Sequence, residues 1–282
     1  MMSWLKAPLR LALDSGFFRN RVAFELRQRH YQDLGISVPL GHGLQCPIVS
    51  TDYWYSFSEI FLLNEYSSLF HDIPLPDRWL DLGCHAGFFS LWVVWQRAQL
   101  GLPKNCQALL VDADSRVQNS VKNLIAANQL ETQFRFRPGA ISEQPGELLF
   151  AEQSCMSSSA ADFANPTLNS RSVRVLEAGD LLRELPGPYD VVKLDVEGSE
   201  YDFLKAYQPV LDAANYLLLE WHSWHKGGGG GPQIKALAED AGFDCMVDQS
   251  KAEVITDEGK RLNCGVFLLR RRAKVRAQVS AA

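Results

Sequence analysis

The sequence predicts an α/β fold, a mainly parallel sheet with helices on both faces, and three observations carry that expectation. Short apolar runs recur from residue 79 onward, at 79–82, 108–111, 173–176, 191–194, 216–219 and 266–269. Stretches with helical apolar spacing lie between several of them, at 88–99, 115–128, 199–207 and 233–241. Buried runs separated by helices are the pattern of a parallel sheet covered on both sides. Lastly, the first run ends in a glycine loop that leads straight into an apolar helix, as in nucleotide-binding α/β sheets.

The residues before that point read differently. Stretches 17–31 and 57–70 have apolar residues at helical spacing, so residues 1–75 are expected to form a mainly helical cover packed on the main domain. Between them, Val38-Pro39-Leu40-Gly41-His42-Gly43 reads as a loop or a hairpin. The main domain is expected over 76–272, followed by a basic, flexible tail over 273–282. Gly227 to Gly231 is a run of five glycines, expected to be a flexible loop, either a lid or a plain connection.

Composition excludes several classes. A chain of 282 residues with 46% hydrophobic and 22% charged residues is long enough to bury a large core. A formal net charge of -5 gives no general attraction to nucleic acid or to anionic membranes. The six cysteines contain no Cys-x-x-Cys pair, which argues against zinc and disulfide scaffolds and for reduced thiols in a cytoplasmic protein. The N-terminus lacks the apolar stretch of a signal peptide, and no run is long enough to span a bilayer.

The chemistry concentrates in three segments. In Asp81-Leu82-Gly83-Cys84-His85-Ala86-Gly87, the glycines suit a tight turn where backbone approaches a ligand; glycines also simply end strands. The next run ends at Asp112, whose two carboxylate oxygens suit the vicinal hydroxyls of a ribose. Asp114 is expected to help start the following helix. The third segment, Lys193-Leu194-Asp195-Val196-Glu197-Gly198-Ser199-Glu200, delivers several ionisable groups to a strand end, which is costly unless they are paired or used. Ser199 and Asp202 have capping-box spacing, so Glu200 is open to a reading as a helix-start acid only.

Together these segments resemble the FkbM family of methyltransferases. The hallmark Lys-x-Asp-x-Glu-Gly-x-Glu is matched by residues 193–200. Gly139-Ala140-Ile141-Ser142 with Gly146 is similar to the family's Ala-Val-Ser segment, residues 175–182 resemble the stretch before the hallmark, and Glu220-Trp221-His222 resembles its Glu-x-His. The family commonly has Gly-Ala-Asn where this chain has Gly83-Cys84-His85. The resemblance implies a seven-stranded Rossmann-like sheet of the class I methyltransferases with its last strand antiparallel. It also implies S-adenosylmethionine as cofactor and O-methylation of a hydroxyl on a glycan, glycolipid or secondary metabolite.

On that reading Asp81, Gly83, Cys84, His85, Gly87, Asp112, Ala140 and Asp195 are the expected cofactor residues. Ser142 competes with Ala140 for a place beside adenine. His222 is the expected general base, because histidine titrates near neutral pH, with Asp195 and Glu197 as competitors. His222 is also readable as a residue that merely fixes the loop after it. Glu220, His222 and His225 form a weak metal-like cluster, and no metal is expected. Asn128 is expected to cap a helix. Two other classes stay open: an NAD-dependent oxidoreductase, opposed by the missing Gly-x-Gly-x-x-Gly, and a non-catalytic binding protein on the same sheet. Oligomeric state is not readable from the sequence.

Overall fold

The computed structural model describes residues 35–151, 159–160, 170–223, 230–255 and 261–273. Strands β3 (Arg78–Leu82), β4 (Gln107–Asp112), β5 (Phe134–Pro138), β9 (Tyr189–Leu194), β10 (Ala214–His222), β11 (Phe243–Ile255) and β12 (Arg261–Arg271) form one seven-stranded sheet. Its order is β11-β12-β10-β9-β3-β4-β5. The pairs among β5, β4, β3, β9 and β10 are parallel, whereas β12 runs antiparallel to both β10 and β11. The expected seven strands and antiparallel last strand are therefore present.

Side chains alternate along the strands and so supply two cores. Trp79, Leu110, Val191 and Leu218 face one side; Leu80, Leu82, Val111, Val192 and Leu194 face the other. Helix α2 (Phe88–Gln99) and helix α3 (Gln118–Ala127) cover the first side, and α4 (Ala178–Glu184), α5 (Glu200–Ala206), α6 (Gln208–Asp212) and α7 (Gly231–Asp240) cover the second. None of the described helices is long and apolar enough to cross a membrane.

Before the sheet, β1 (Ile36–Gly41) and β2 (Leu44–Ile48) pair as a hairpin, with His42 and Gly43 at positive φ in its turn. Helix α1 (Thr51–Phe57) follows and continues as a π-helical turn over Ser58–Leu62. The described part of the expected helical cover is thus a hairpin followed by a helix, and that helix ends well before residue 70. The expected helix over 17–31 lies outside the described residues. Aromatic rings hold this segment to α2: Phe61 meets Phe88 and Trp95, and Tyr66 meets Phe89 and Trp92. Asn128, at the end of α3, caps it through Leu124 O and also grips Gln45 of β2 by both its N–H and its carbonyl.

Two sheet expectations need correction. The run 173–176 is not a strand of the main sheet. It overlaps β8 (Ser170–Arg174), which joins β6 (Glu147–Ala151) and β7 (Ser159–Ala160) in a separate sheet ordered β7-β6-β8. Two strands of the sheet are missing from the expected runs, the edge strands β5 and β11; β5 reads Phe-Arg-Phe-Arg-Pro and buries only Phe134, too little apolar residue to register as a buried run. In the glycine run, Gly230 and Gly231 are packed rather than free. Gly231 opens α7, and a Cβ there would lie 2.8 Å from the Trp221 ring. The other three glycines lie outside the described residues.

Candidate active site

The carboxyl ends of β3, β4 and β9 meet where the chain order turns from β3 outward in both directions, the place where open α/β sheets bind ligands. A cavity of about 450 Å³ opens there. Gly83 and Cys84, after β3, donate backbone hydrogen bonds to Val111 O at the end of β4, at 2.9 and 3.0 Å. Asp195 N, after β9, donates to Leu82 O at 3.0 Å. The three strand ends are thereby laced together. Gly83 has φ +74, and a Cβ on it would stand 1.6 Å from Asp195 O, so no other residue fits. Gly87 also has positive φ, but it packs against Leu110 at the start of α2 and does not line the cavity.

Asp112 ends β4 and lines the cavity. Its Oδ2 accepts from His85 N at 2.7 Å and its Oδ1 from Asp114 N at 2.8 Å. Burial outweighs these bonds and pushes the carboxyl up to about 6. Asp114 accepts from Arg116 N and caps the short helical turn at Ser115–Val117, as its position predicts. His85, at φ +48, places its Nδ1 3.4 Å from Ser56 Oγ and its ring edge-on to Tyr53, with centroids 4.7 Å apart. Its Nε2 is buried without a hydrogen-bond partner among the described residues. Burial, reinforced by Lys193, lowers its pKa to about 4, so the ring is neutral. Cys84 lines the same wall with a thiol that burial holds protonated.

Asp81 lies one layer below. It is fully buried, accepts from Ser90 Oγ at 2.7 Å and stands 3.6 Å from Lys193 Nζ. Expected among the cofactor residues, it does not line the cavity and lies behind Lys193. Lys193 does line it, donating to Gly83 O at 2.8 Å and to Asp195 Oδ2 at 3.2 Å. Burial alone would lower its pKa, but Asp195 and Asp81 outweigh that and keep the ammonium charged. The sequence placed Lys193 in the hallmark without a role; its signal is a lysine on an otherwise apolar strand.

The hallmark glutamates meet His222. Glu200 is wholly buried, accepts from Gly198 N and Val196 N, and bonds His222 Nδ1 at 2.9 Å. It is therefore more than a helix-start acid. The capping box expected of Ser199 does not form, because Asp202 accepts instead from Ser142 Oγ and Glu143 N. Glu197, at φ +52, lines the cavity and places Oε2 3.8 Å from His222 Nε2. His222 itself is 4% exposed and off the cavity surface. Desolvation works against its charge, but Glu200 and Glu197 on its two sides raise its pKa to about 10. Burial first of all raises Glu197, to about 8.

One ligand atom each from Asp195, Glu197 and His222 converges within 4.8 Å, the spacing of a cation site. Two positive charges, Lys193 and the imidazolium, already stand against these groups. His225 lies outside the described residues. Ala140 lines the cavity, whereas Ser142 turns to Asp202 and Tyr207. The sequence did not point to the cover residues Ser56, Glu59, Ile60, Glu65 and Tyr66 as lining residues, nor to Leu148 and Phe150 of β6. They come from segments remote in the chain and without motif spacing.

No protein-family model and no curated protein matches the chain. Among solved structures, it is similar to magnesium protoporphyrin IX methyltransferase from Synechocystis PCC 6803 with bound S-adenosylmethionine. That likeness has 14% identity and a TM-score of 0.45, covering 95% of this chain and 97% of the other. It is also similar to the N-terminal domain of EvdMO1 with S-adenosylhomocysteine bound, at 13% identity, TM-score 0.45, covering 90% and 97%. A protein from Pyrococcus horikoshii, provisionally named an RNA methyltransferase, matches at 13% identity, TM-score 0.44, covering 92% and 98%. These values are low. The fold class rests on the strand order, with its single reversed strand β12 between β10 and β11. It is the seven-stranded Rossmann-like sheet of the class I methyltransferases.

Proposed function

We propose that this chain is an S-adenosylmethionine-dependent methyltransferase of FkbM type that methylates a hydroxyl of a small molecule such as a glycan, glycolipid or secondary metabolite. The observation that carries the reading is the placement of Asp112. A cavity-lining carboxylate ends the strand next to β3, directly across from the Gly83 loop, at the switch point of the sheet. Two oxygens there, oriented by His85 N and Asp114 N, fit a ribose diol. Beyond them, Asp195, Glu197 and Glu220 line the β9 and β10 ends of the cavity, a setting that suits a sulfonium and an ammonium. The residues present therefore fit the cofactor.

S-adenosylmethionine supplies an electrophilic methyl group, and the rest falls to the chain. Lys193 holds the Gly83 and Asp195 loops together, and this fixes the cavity floor on which the reactants are aligned. The acceptor's hydroxyl proton needs a base. His222 is a poor one, because it is off the cavity and already holds a proton, bonded to Glu200 and beside Glu197. The base role is assigned instead to Glu197, which reaches the cavity and, with its pKa raised to about 8, is a stronger base than an ordinary carboxylate. Asp195 is engaged with Lys193. His222, braced by Glu200, positions Glu197. Seven lining side chains are carboxylates, and Lys193 is the sole lysine or arginine among the described lining residues. That balance supports a neutral or cationic acceptor over a phosphate-rich nucleic acid.

Calorimetry with S-adenosylmethionine and NAD separately tests the cofactor, followed by a labelled-methyl screen against glycans and extracts. Binding of NAD alone sinks the proposal. Binding of S-adenosylmethionine with no transfer to any hydroxyl leaves a binding scaffold in its place.

A further inference from the structure

We infer that the small sheet β7-β6-β8, which lies outside the seven-stranded core, is the adenine-binding wall of the site, with Phe150 and Leu148 as its contact residues. The inference rests on the cofactor proposed above.

Along β6 the side chains alternate. Leu148 and Phe150 line the cavity, while Leu149 between them is 59% exposed on the other side. β6 is the middle strand, paired on both edges, with Phe150 opposite Ala160 in β7 and Arg171 in β8, so the ring's position is fixed from two sides. The sheet is tied to both loops that flank Asp112. Ala140 N donates to Arg174 O and Leu176 N to Ala140 O, each at 2.9 Å, and Arg171 donates to Ser115 Oγ. Gly139 N in turn donates to Asp112 O at 2.9 Å. The small sheet is therefore anchored at the ribose carboxylate, not at the β9 and β10 ends where the acidic groups gather.

The chemistry divides along the same line. Ala140, Ile141, Leu148 and Phe150 form an apolar stretch of wall, and a purine has flat apolar faces that need such cover. A hydroxyl acceptor has its reason to be at the other end, beside Glu197. The sequence could not show this, because an insertion between β5 and β9 has no obligatory place in the sheet.

The test uses the full chain and two probes that share adenosine, S-adenosylhomocysteine and 5′-methylthioadenosine, the second lacking the amino-acid end. Phe150→Ala is expected to weaken both by the same factor, about tenfold, from lost apolar contact. Leu149→Ala, on the opposite face, should change neither by more than about twofold. Phe150→Leu and Leu148→Ala, each leaving an apolar side chain or its neighbour in place, give the same pattern at smaller size should Phe150→Ala fail to fold. Unchanged affinity for both probes in the folded variants, or a raised KM for the acceptor alone, overturns the assignment and gives the wall to the acceptor. Failure of the unaltered protein to bind either probe defeats the cofactor reading itself.

Discussion

At the scale of single residues, charge state decides what each ionisable side chain of the site does. Asp112 lies in the cavity wall with a carboxyl raised to about 6, so it is ionised at neutral pH and becomes neutral just below. Asp112→Ala should weaken S-adenosylmethionine binding by about a hundredfold or more while thermal unfolding stays near that of the parent. In the parent, affinity should fall as pH drops through about 6; a flat profile in calorimetry would remove Asp112 from the site. Glu197 carries an expectation of the same sign at higher pH. Its deprotonated form is the base, so turnover should rise with pH through about 8. Glu197→Gln should lower kcat by about 10²–10⁴ with little change in cofactor affinity, and undiminished turnover would return the role to Asp195.

Among elements, close approach and pinning matter more than pattern. The Gly83 loop and the Asp195 loop touch backbone to backbone, with space for no Cβ. Gly83→Ala should therefore cost more than about 3 kcal/mol of stability, or prevent folding, as a chemical denaturation curve would show. The hairpin β1–β2 hangs on α3 through Asn128, whose three bonds reach Gln45 twice and Leu124 once. Asn128→Ala should destabilise the protein by about 1–3 kcal/mol and raise amide exchange in the hairpin before the core. Uniform exchange in both would count against this pinning. Helix capping was legible at Asn128 because asparagine suits helix ends; the grip on Gln45, 83 residues away, was not.

For the whole molecule, the buried Glu200–His222–Glu197 set links stability to pH. The His222 pKa is raised from 6.5 to about 10 in the folded state. A raised basic group contributes stability that is fully present below its unfolded pKa and is lost as pH rises through the folded one. Stability should thus decline between about pH 6.5 and 10, and His222→Ala should flatten that slope in denaturation curves taken across the range. A slope unchanged by the substitution would show that His222 is not charged in the folded protein.

Local sequence was enough to establish the alternation of strands and helices, the glycine loop, the acid ending the second core strand, and the hallmark segment. Each of these is local: apolar periodicity, a turn's need for glycine and a strand-end position are written within a few neighbouring residues. Helix α2 was readable over 88–99 for that reason, and β5 was missed because it is an edge strand with a single buried side chain and so carries no apolar run. Which of the site's ionisable groups reach the cavity was settled by tertiary packing alone. Asp81 and His222 lie behind it, Lys193 and Glu197 face it, and the cover and the small sheet close its sides. The protonation of His222 depends on two acidic residues, Glu200 above all and Glu197, brought in from a different strand end. That is a property of packing in a low-dielectric interior, and no spacing in the sequence encodes it.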